Sequence, residues 1–164
     1  MKNQELVLLI GSNVGDSAEY LSKARMHLVK EFGEVILQSK KYKTQAWGIT
    51  EQDDFLNQAL VYNCNIKPEI ILEKIKNIEK KIGRKPRHTW ANREIDIDII
   101  FYGSLIHKSQ NLYIPHPLMH LRKFVLQPLS QIIPDFVHPV LNKTVAELLK
   151  NCNDNLKVEV SENE

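Results

Sequence analysis

Asp96 and Asp98 stand in the run Glu94-Ile95-Asp96-Ile97-Asp98-Ile99-Ile100-Phe101. Read as a strand, the run points Ile95, Ile97 and Ile99 one way and both aspartates the other. The carboxylates would then lie about 6.7 Å apart along the strand. At an effective dielectric of about 20, two like charges at that distance repel by roughly 2.5 kcal/mol. Divalent cations relieve that repulsion and prefer oxygen ligands; magnesium takes one or two carboxylates with waters and substrate phosphates. Two metals about 4 Å apart would bridge both carboxylates and clamp a displacement at phosphorus. Taken alone, Asp-x-Asp is a weak signal, and a solvent-facing strand is the commoner explanation.

The neighbours change that weighting. Arg84, Lys85, Arg87 and Arg93 lie just upstream in one polar stretch. Guanidinium forks match phosphate oxygens and stabilise charge developing on a transferring group. A basic loop leading into an acidic strand points to phosphate with magnesium, although by itself such a loop is equally well a solvated surface run. Glu79 flanks the apolar stripe of the preceding helix, where a surface Glu–Lys pair is the plain alternative.

These residues need a scaffold. Leu6 to Ile10 reads as a buried strand ended by Gly11-Ser12-Asn13. Asp16 or Ser17 caps a helix running to about Phe32, with Leu21, Ala24, Leu28 and Phe32 at helical spacing and Gly33 as its stop. Val35 to Tyr42 reads as a second strand, 45–54 as a loop and Phe55 to Ile66 as a third strand. Pro68 opens a second helix whose stripe is Ile71, Leu72, Ile75, Ile78 and Ile82, with Gly83 at its end. Ile95 to Tyr102 is the fourth strand. Beyond Gly103 the pattern is irregular and rich in proline, with short helices expected near 119–122 and 144–149. The fold class is therefore α+β: a ferredoxin-like βαββαβ antiparallel sheet with helices on one face and a C-terminal appendage. Residues 1–150 form the single domain, and 151–164 are a polar tail that frays.

The bulk numbers agree with one ordinary globular domain: 164 residues, 43% hydrophobic and 26% charged. A net charge of +2 is too balanced for a grip on long nucleic acid. The apolar run Leu6–Ile10 is too short to span a membrane, and the N-terminus is too polar for a signal peptide. Neither nucleic acid nor membrane is expected as a partner. Cys64 and Cys152 fit reduced thiols in a cytoplasmic protein, and a monomer is expected.

Several motifs in order resemble one family. Trp90-Ala91-Asn92-Arg93-Glu94-Ile95-Asp96-Ile97-Asp98 resembles the signature of the 6-hydroxymethyl-7,8-dihydropterin pyrophosphokinases, which usually show Gly-Pro where Ala91-Asn92 stand. Gly11-Ser12-Asn13-Val14-Gly15-Asp16, Tyr42-Lys43-Thr44, Phe55-Leu56-Asn57-Gln58-Ala59, Ile78-Glu79 to Gly83-Arg84, Ile114-Pro115-His116-Pro117 and Leu121-Arg122 to Leu129 look like its other motifs. Near Asn111 and Tyr113 some members carry an arginine and a threonine instead.

The resemblance implies pyrophosphate transfer from ATP to the pterin's hydroxymethyl group, giving AMP and the pterin diphosphate in folate biosynthesis. It implies that Asp96 and Asp98 bind two magnesium ions, and that Arg84 and Arg93 hold the phosphates. Glu79, Trp90, Ile99, His116 and Arg122 would belong to the ATP site with those arginines. Thr44, Trp47, Phe55, Asn57, Trp90 and Phe124 would form the pterin site, with Phe124 stacking on the ring and Asn57 reading its edge. A flat polar heterocycle suits aromatic faces and an amide that both donates and accepts. The rival expectations are a nucleotidyltransferase using the same aspartates and a non-catalytic ferredoxin-like binding module. The former would release pyrophosphate rather than AMP.

Overall fold

The computed structural model describes residues 2–45, 54–86 and 93–161. Its elements, in order, are β1 (Gln4–Ser12), α1 (Ser17–Phe32), β2 (Val35–Gln38), β3 (Tyr42–Thr44), β4 (Phe55–Cys64), α2 (Pro68–Ile82) and β5 (Asp96–Tyr102). A small hairpin, β6 (His107–Lys108) and β7 (Tyr113–Ile114), follows. After a 3-10 turn at Met119–Leu121 come α3 (Lys123–Ile132), α4 (Val145–Lys150) and β8 (Val158–Val160). The main sheet is antiparallel, with strand order β5-β1-β4-β3-β8 and β2 also paired to β4.

Local chemistry explains the helix ends. Asp16 accepts from the Glu19 backbone N–H at 3.1 Å and caps α1. Pro68 begins α2, where its missing N–H costs nothing. Gly83 ends α2 in the left-handed region, and its N–H returns to the carbonyls of Glu79 and Lys80. Both helices press Leu21, Ala24, Leu28, Ile71, Ile75 and Ile78 onto Leu6, Leu8, Ile10, Leu60 and Tyr62 of the sheet. Among the described residues, no helix is long and apolar enough to cross a membrane.

Three expectations need correction. The sheet does not carry helices on one face alone. α3 and α4 cover the other face, burying Val125, Leu126, Leu129, Val145 and Leu148 against Val7, Leu9, Val61 and Phe101. Pro128 sits inside α3. Its lost hydrogen bond is outweighed by the apolar area that this helix buries.

The second strand is broken into β2 and β3 at Ser39. There the Ser39 hydroxyl takes the Ala59 N–H at 2.9 Å, and the Ser39 carbonyl accepts the Gln58 amide at 2.7 Å. Side chains thus replace part of the backbone ladder. The polar tail does not fray through its described length: β8 pairs with β3, matching Tyr42 to Val160 and Thr44 to Val158.

That returning tail also holds α3. Arg122, the residue preceding the helix, makes no side-chain cap. Asp154 does so instead, accepting from the Lys123 N–H at 3.0 Å and from the Leu156 N–H at 3.0 Å. Replacing Asp154 with Ala should lower stability by about 1 kcal/mol, and replacement with Asn by less, because Asn remains a good cap. Urea denaturation of the two variants measures this; equal losses would contradict the capping role.

Candidate active site

Register places the site's side chains in rows. Gly11 on β1 lies opposite both Asn57 on β4 and Asp96 on β5, and Asn57 lies opposite Tyr42. Paired residues share a face, so Tyr42, Asn57, Gly11 and Asp96 form one line across four strands. One step along, Leu9 pairs with Asp98 and Ala59. This is the α3/α4 side of the sheet, since Ile97 and Ile99 join the core beneath α1 and α2. The alternation read from sequence holds here.

Gly11 opens that line. A Cβ on Gly11 would fall on the Asn57 side-chain oxygen. With no side chain at Gly11, the Asn57 side chain lies over β1 and leans towards Asp96, whose backbone is two strand spacings, about 10 Å, away. Asn57 is buried with its Nδ2 unpartnered, and Thr44, on the same side, is buried with its hydroxyl unpartnered. Buried polar groups normally find partners. Two orphans on one side of the sheet therefore suit a polar ligand. Phe55, opposite Thr44, is half-buried.

At the other end of the line lies a charge network. Arg84 reaches Glu79 at 2.7 Å and Asp96 at 3.2 Å through the same nitrogen, and Arg93 reaches Asp96 at 3.3 Å. Glu79 is 2% exposed and accepts the Ile97 N–H at 3.0 Å. It thus ties α2 to β5 and holds Arg84 from beneath. Burial pushes the Glu79 carboxyl up, opposed by the Ile97 hydrogen bond and by Arg84. The ends of the basic loop are fastened as well. Glu94 accepts the Lys85 N–H at 2.9 Å, and Asn13 exchanges backbone and side-chain bonds with Arg93 at 3.1 and 2.8 Å. A cleft of about 390 Å³ opens beside Lys76, Lys80, Arg84, Lys85 and Arg93, with Glu79 in its wall.

Asp98 is the unstable member. Burial first, then Asp96 and Glu79, raise its carboxyl well above the usual range, and Arg93 only partly offsets them. A divalent cation would relieve that. Among the described residues no group of three or more His, Cys, Asp or Glu side chains converges to hold a metal alone. Two carboxylates beside a basic cleft therefore fit a magnesium that keeps waters and phosphate oxygens.

β5 bulges next to this pair. Val7 pairs with Phe101 and Leu8 with Ile99, which leaves Ile100 extra. The freed Ile100 carbonyl accepts the His116 N–H at 3.0 Å. His116 is thereby docked against β5, near enough to Asp96 for the carboxylate to act on its ring. Its Nδ1 accepts the Leu118 N–H at 3.2 Å, which leaves Nε2 to carry the proton.

The expected residues do not all converge. Glu79, Arg84, Arg93, Asp96, Asp98 and His116 cluster; Thr44, Phe55 and Asn57 form the far end of the line. Arg122 lies 5.8 Å from the Phe124 ring, and both line a separate cleft of about 670 Å³ facing Asp154 and Leu156. The Ile99 side chain belongs to the core, so the nucleotide role expected of it cannot rest on an exposed side chain. Trp47 and Trp90 lie outside the described residues. Sequence reasoning assigned no roles to Gly11, Asn13 and Glu94. All three stood in the motifs, but their jobs are steric or backbone-directed and leave no chemical signature.

Burial, then Arg122, lowers the His116 pKa from 6.5, partly countered by Asp96. The folded state therefore binds this proton less well than the unfolded chain does. Stability from this group is present at neutral pH and is lost as pH falls through the ordinary histidine value towards the depressed one. His138 is shifted the same way and contributes alongside. His116→Asn, which keeps an acceptor for Leu118, should lose less stability than wild type between neutral pH and about pH 5. Urea midpoints across that range test this, and identical pH slopes would contradict it.

The family model for 7,8-dihydro-6-hydroxymethylpterin-pyrophosphokinase (HPPK) matches residues 7–134. A 2-amino-4-hydroxy-6-hydroxymethyldihydropteridine pyrophosphokinase from Aquifex aeolicus is 41% identical over 84% of this chain and 86% of its own length. The protein of that name from Methylorubrum extorquens is 39% identical, covering 85% and 88%. A crystal structure of Plasmodium falciparum HPPK-DHPS with pteroate superposes with a TM-score of 0.73 at 20% identity. It covers 91% of this chain but 42% of that one, and so bears on the fold alone. On the family match and the two long relatives, the chain belongs to the 7,8-dihydro-6-hydroxymethylpterin-pyrophosphokinases, diphosphotransferases of folate biosynthesis.

Proposed function

We propose that this chain moves the terminal pyrophosphate of ATP onto the hydroxymethyl oxygen of 6-hydroxymethyl-7,8-dihydropterin at the Asp96–Asp98 site. The hydroxyl oxygen attacks the β-phosphorus. The bond to the oxygen bridging the α- and β-phosphates breaks, AMP departs with the electron pair, and the attacking hydroxyl gives up its proton. The observation that carries the residue roles is Asp96 held between Arg84 at 3.2 Å and Arg93 at 3.3 Å, with Asp98 two residues on and its carboxyl pushed up by burial.

Asp96 and Asp98 would hold two magnesium ions, which supply charge neutralisation on the phosphate oxygens. Arg84 and Arg93 turn from Asp96 towards the phosphates and stabilise charge as it shifts to the leaving group. Glu79 keeps Arg84 in position rather than touching nucleotide. His116 and Arg122 serve the nucleotide end. Asn57 reads the pterin edge with its orphan Nδ2, Thr44 offers its unpartnered hydroxyl, and Phe55 walls the ring. Phe124 stacks on the ring after turning from its present cleft. Trp47 and Trp90 are assigned to the pterin, and Trp90 to ATP as well, on the family motif alone. The βαββαβ order with β5 and β4 flanking β1 supports reading the sheet as ferredoxin-like. Free Cys64 and Cys152 support a cytoplasmic setting.

The test is an assay with dihydropterin, ATP and magnesium, with products separated. AMP and the pterin diphosphate should form and should vanish with chelator; release of pyrophosphate would overturn the reading in favour of nucleotidyl transfer. Asp98→Asn should cut kcat by about a hundredfold or more while leaving the fold intact. Normal AMP release by that variant would remove the metal role.

A further inference from the structure

A second polar notch lies at the sheet edge where β2 gives way to β3, between Arg25 of α1 and Gln131 of α3. Gln58 pairs with Ile10, a residue of the core beneath α1 and α2. At the break between β2 and β3, Arg25, Ser39, Lys40, Lys41, Gln58 and Gln131 surround a cleft of about 300 Å³. The pyrophosphokinase reading uses none of these side chains.

The hydrogen bonding of this notch is one-sided. Gln58 Oε1 accepts from Arg25 at 2.8 Å. Gln131 Oε1 accepts twice, from the Lys40 N–H at 2.9 Å and the Tyr42 hydroxyl at 2.8 Å. The amide orientations are forced, because guanidinium and backbone N–H groups can only donate. The Ser39 carbonyl takes the Gln58 amide, and the Ser39 hydroxyl both accepts from Ala59 and donates to the Lys40 carbonyl. The Lys41 carbonyl takes the Ser161 N–H at 2.8 Å. Apart from the exposed Gln38 amide, the notch's acceptors are therefore already engaged. What remains are donors: further N–H groups of Arg25, the Gln131 Nε2, and the ammonium groups of Lys40 and Lys41.

Charge points the same way. Among the described residues, Arg25, Lys40 and Lys41 make no ion pair with any carboxylate. Arg25 is half-buried, and burial lowers its pKa, as expected of a cation lacking a counter-charge. Three cations gathered around engaged carbonyls repel one another unless an anion joins them. A tetrahedral oxyanion is acceptor-only, matches the guanidinium fork and suits lysine as a point charge.

The geometry points to a second anion site here, one that takes a phosphate group, free or on a small monoester, at the sheet edge between α1 and α3, across β4 and β1 from Asp96 and Asp98 on β5. The notch is large enough for a phosphate with a short organic substituent and too small for an extended polymer.

Amide and guanidinium NMR of the whole chain tests this, with inorganic phosphate titrated against sodium chloride at matched ionic strength. The Gln58 and Gln131 side-chain amides and the Arg25 Nε should shift saturably with phosphate. Arg25→Gln should weaken that binding by about tenfold or more. The Lys40→Gln/Lys41→Gln double variant, altered outside the core, should weaken it likewise and guards against a fold defect in the first. Glycerol phosphate supplies the second arm: tighter binding than inorganic phosphate assigns the notch to a phosphoester, and equal binding assigns it to the free ion. Shifts no larger than those with chloride, shifts only near Arg84 and Arg93, or binding unchanged in both variants would overturn the site.

Discussion

The site depends on Asp96 being held by two arginines while its neighbour Asp98 is not. Arg84 spans Glu79 and Asp96, and Arg93 closes on Asp96 from the other flank. Glu79 makes this possible by being buried and by accepting the Ile97 N–H, so α2 and β5 share one carboxylate. The arrangement keeps one aspartate compensated and leaves the next with its charged form disfavoured by burial and by the neighbouring carboxylates. In the proposed function, a cation and a phosphate would supply the balance that the fold alone does not. Under that proposal the arginines now bound to Asp96 would be claimed by a phosphate, and ligand and protein would compete for the same donors.

The rest of the fold serves that network by controlling where backbone is missing or extra. Gly11 gives the Asn57 side chain room to lie over β1, with its Nδ2 left unpartnered. The extra residue Ile100 turns a carbonyl out of the ladder to dock His116. The tail ties both ends together: β8 pairs with β3, which carries Thr44, while Asp154 caps the helix that carries Phe124. A chain segment far from the acidic strand in sequence thus couples the two halves of the proposed substrate region.

Much of this was legible in the residues. The alternation of Ile95, Ile97 and Ile99 with Asp96 and Asp98 told which side chains turn from the core, because a strand's period is strict. Asp16, Pro68, Gly33 and Gly83 marked helix ends through local backbone chemistry. What stayed hidden depended on distant partners. Pro128 masked α3, whose stability comes from burial on the sheet rather than from propensity. Ser39 looked like any strand residue until Ala59 and Gln58 claimed its polar groups. Glu79 read as flanking a stripe, because its burial needs Arg84 and the Ile97 N–H, which only the fold brings close. The motif resemblance supplied substrates that spacing alone left open between several phosphate chemistries.

The central claim is that the Asp96–Asp98 pair is a cation site completed by nucleotide phosphates. Its most direct test is anomalous diffraction from crystals grown with manganese, the dihydropterin and a non-hydrolysable ATP analogue. The account predicts two manganese peaks bridging the Asp96 and Asp98 carboxylates and the analogue's phosphate oxygens, with Arg84 and Arg93 turned onto the phosphates. Manganese bound elsewhere, or phosphates seated away from these carboxylates, would contradict it.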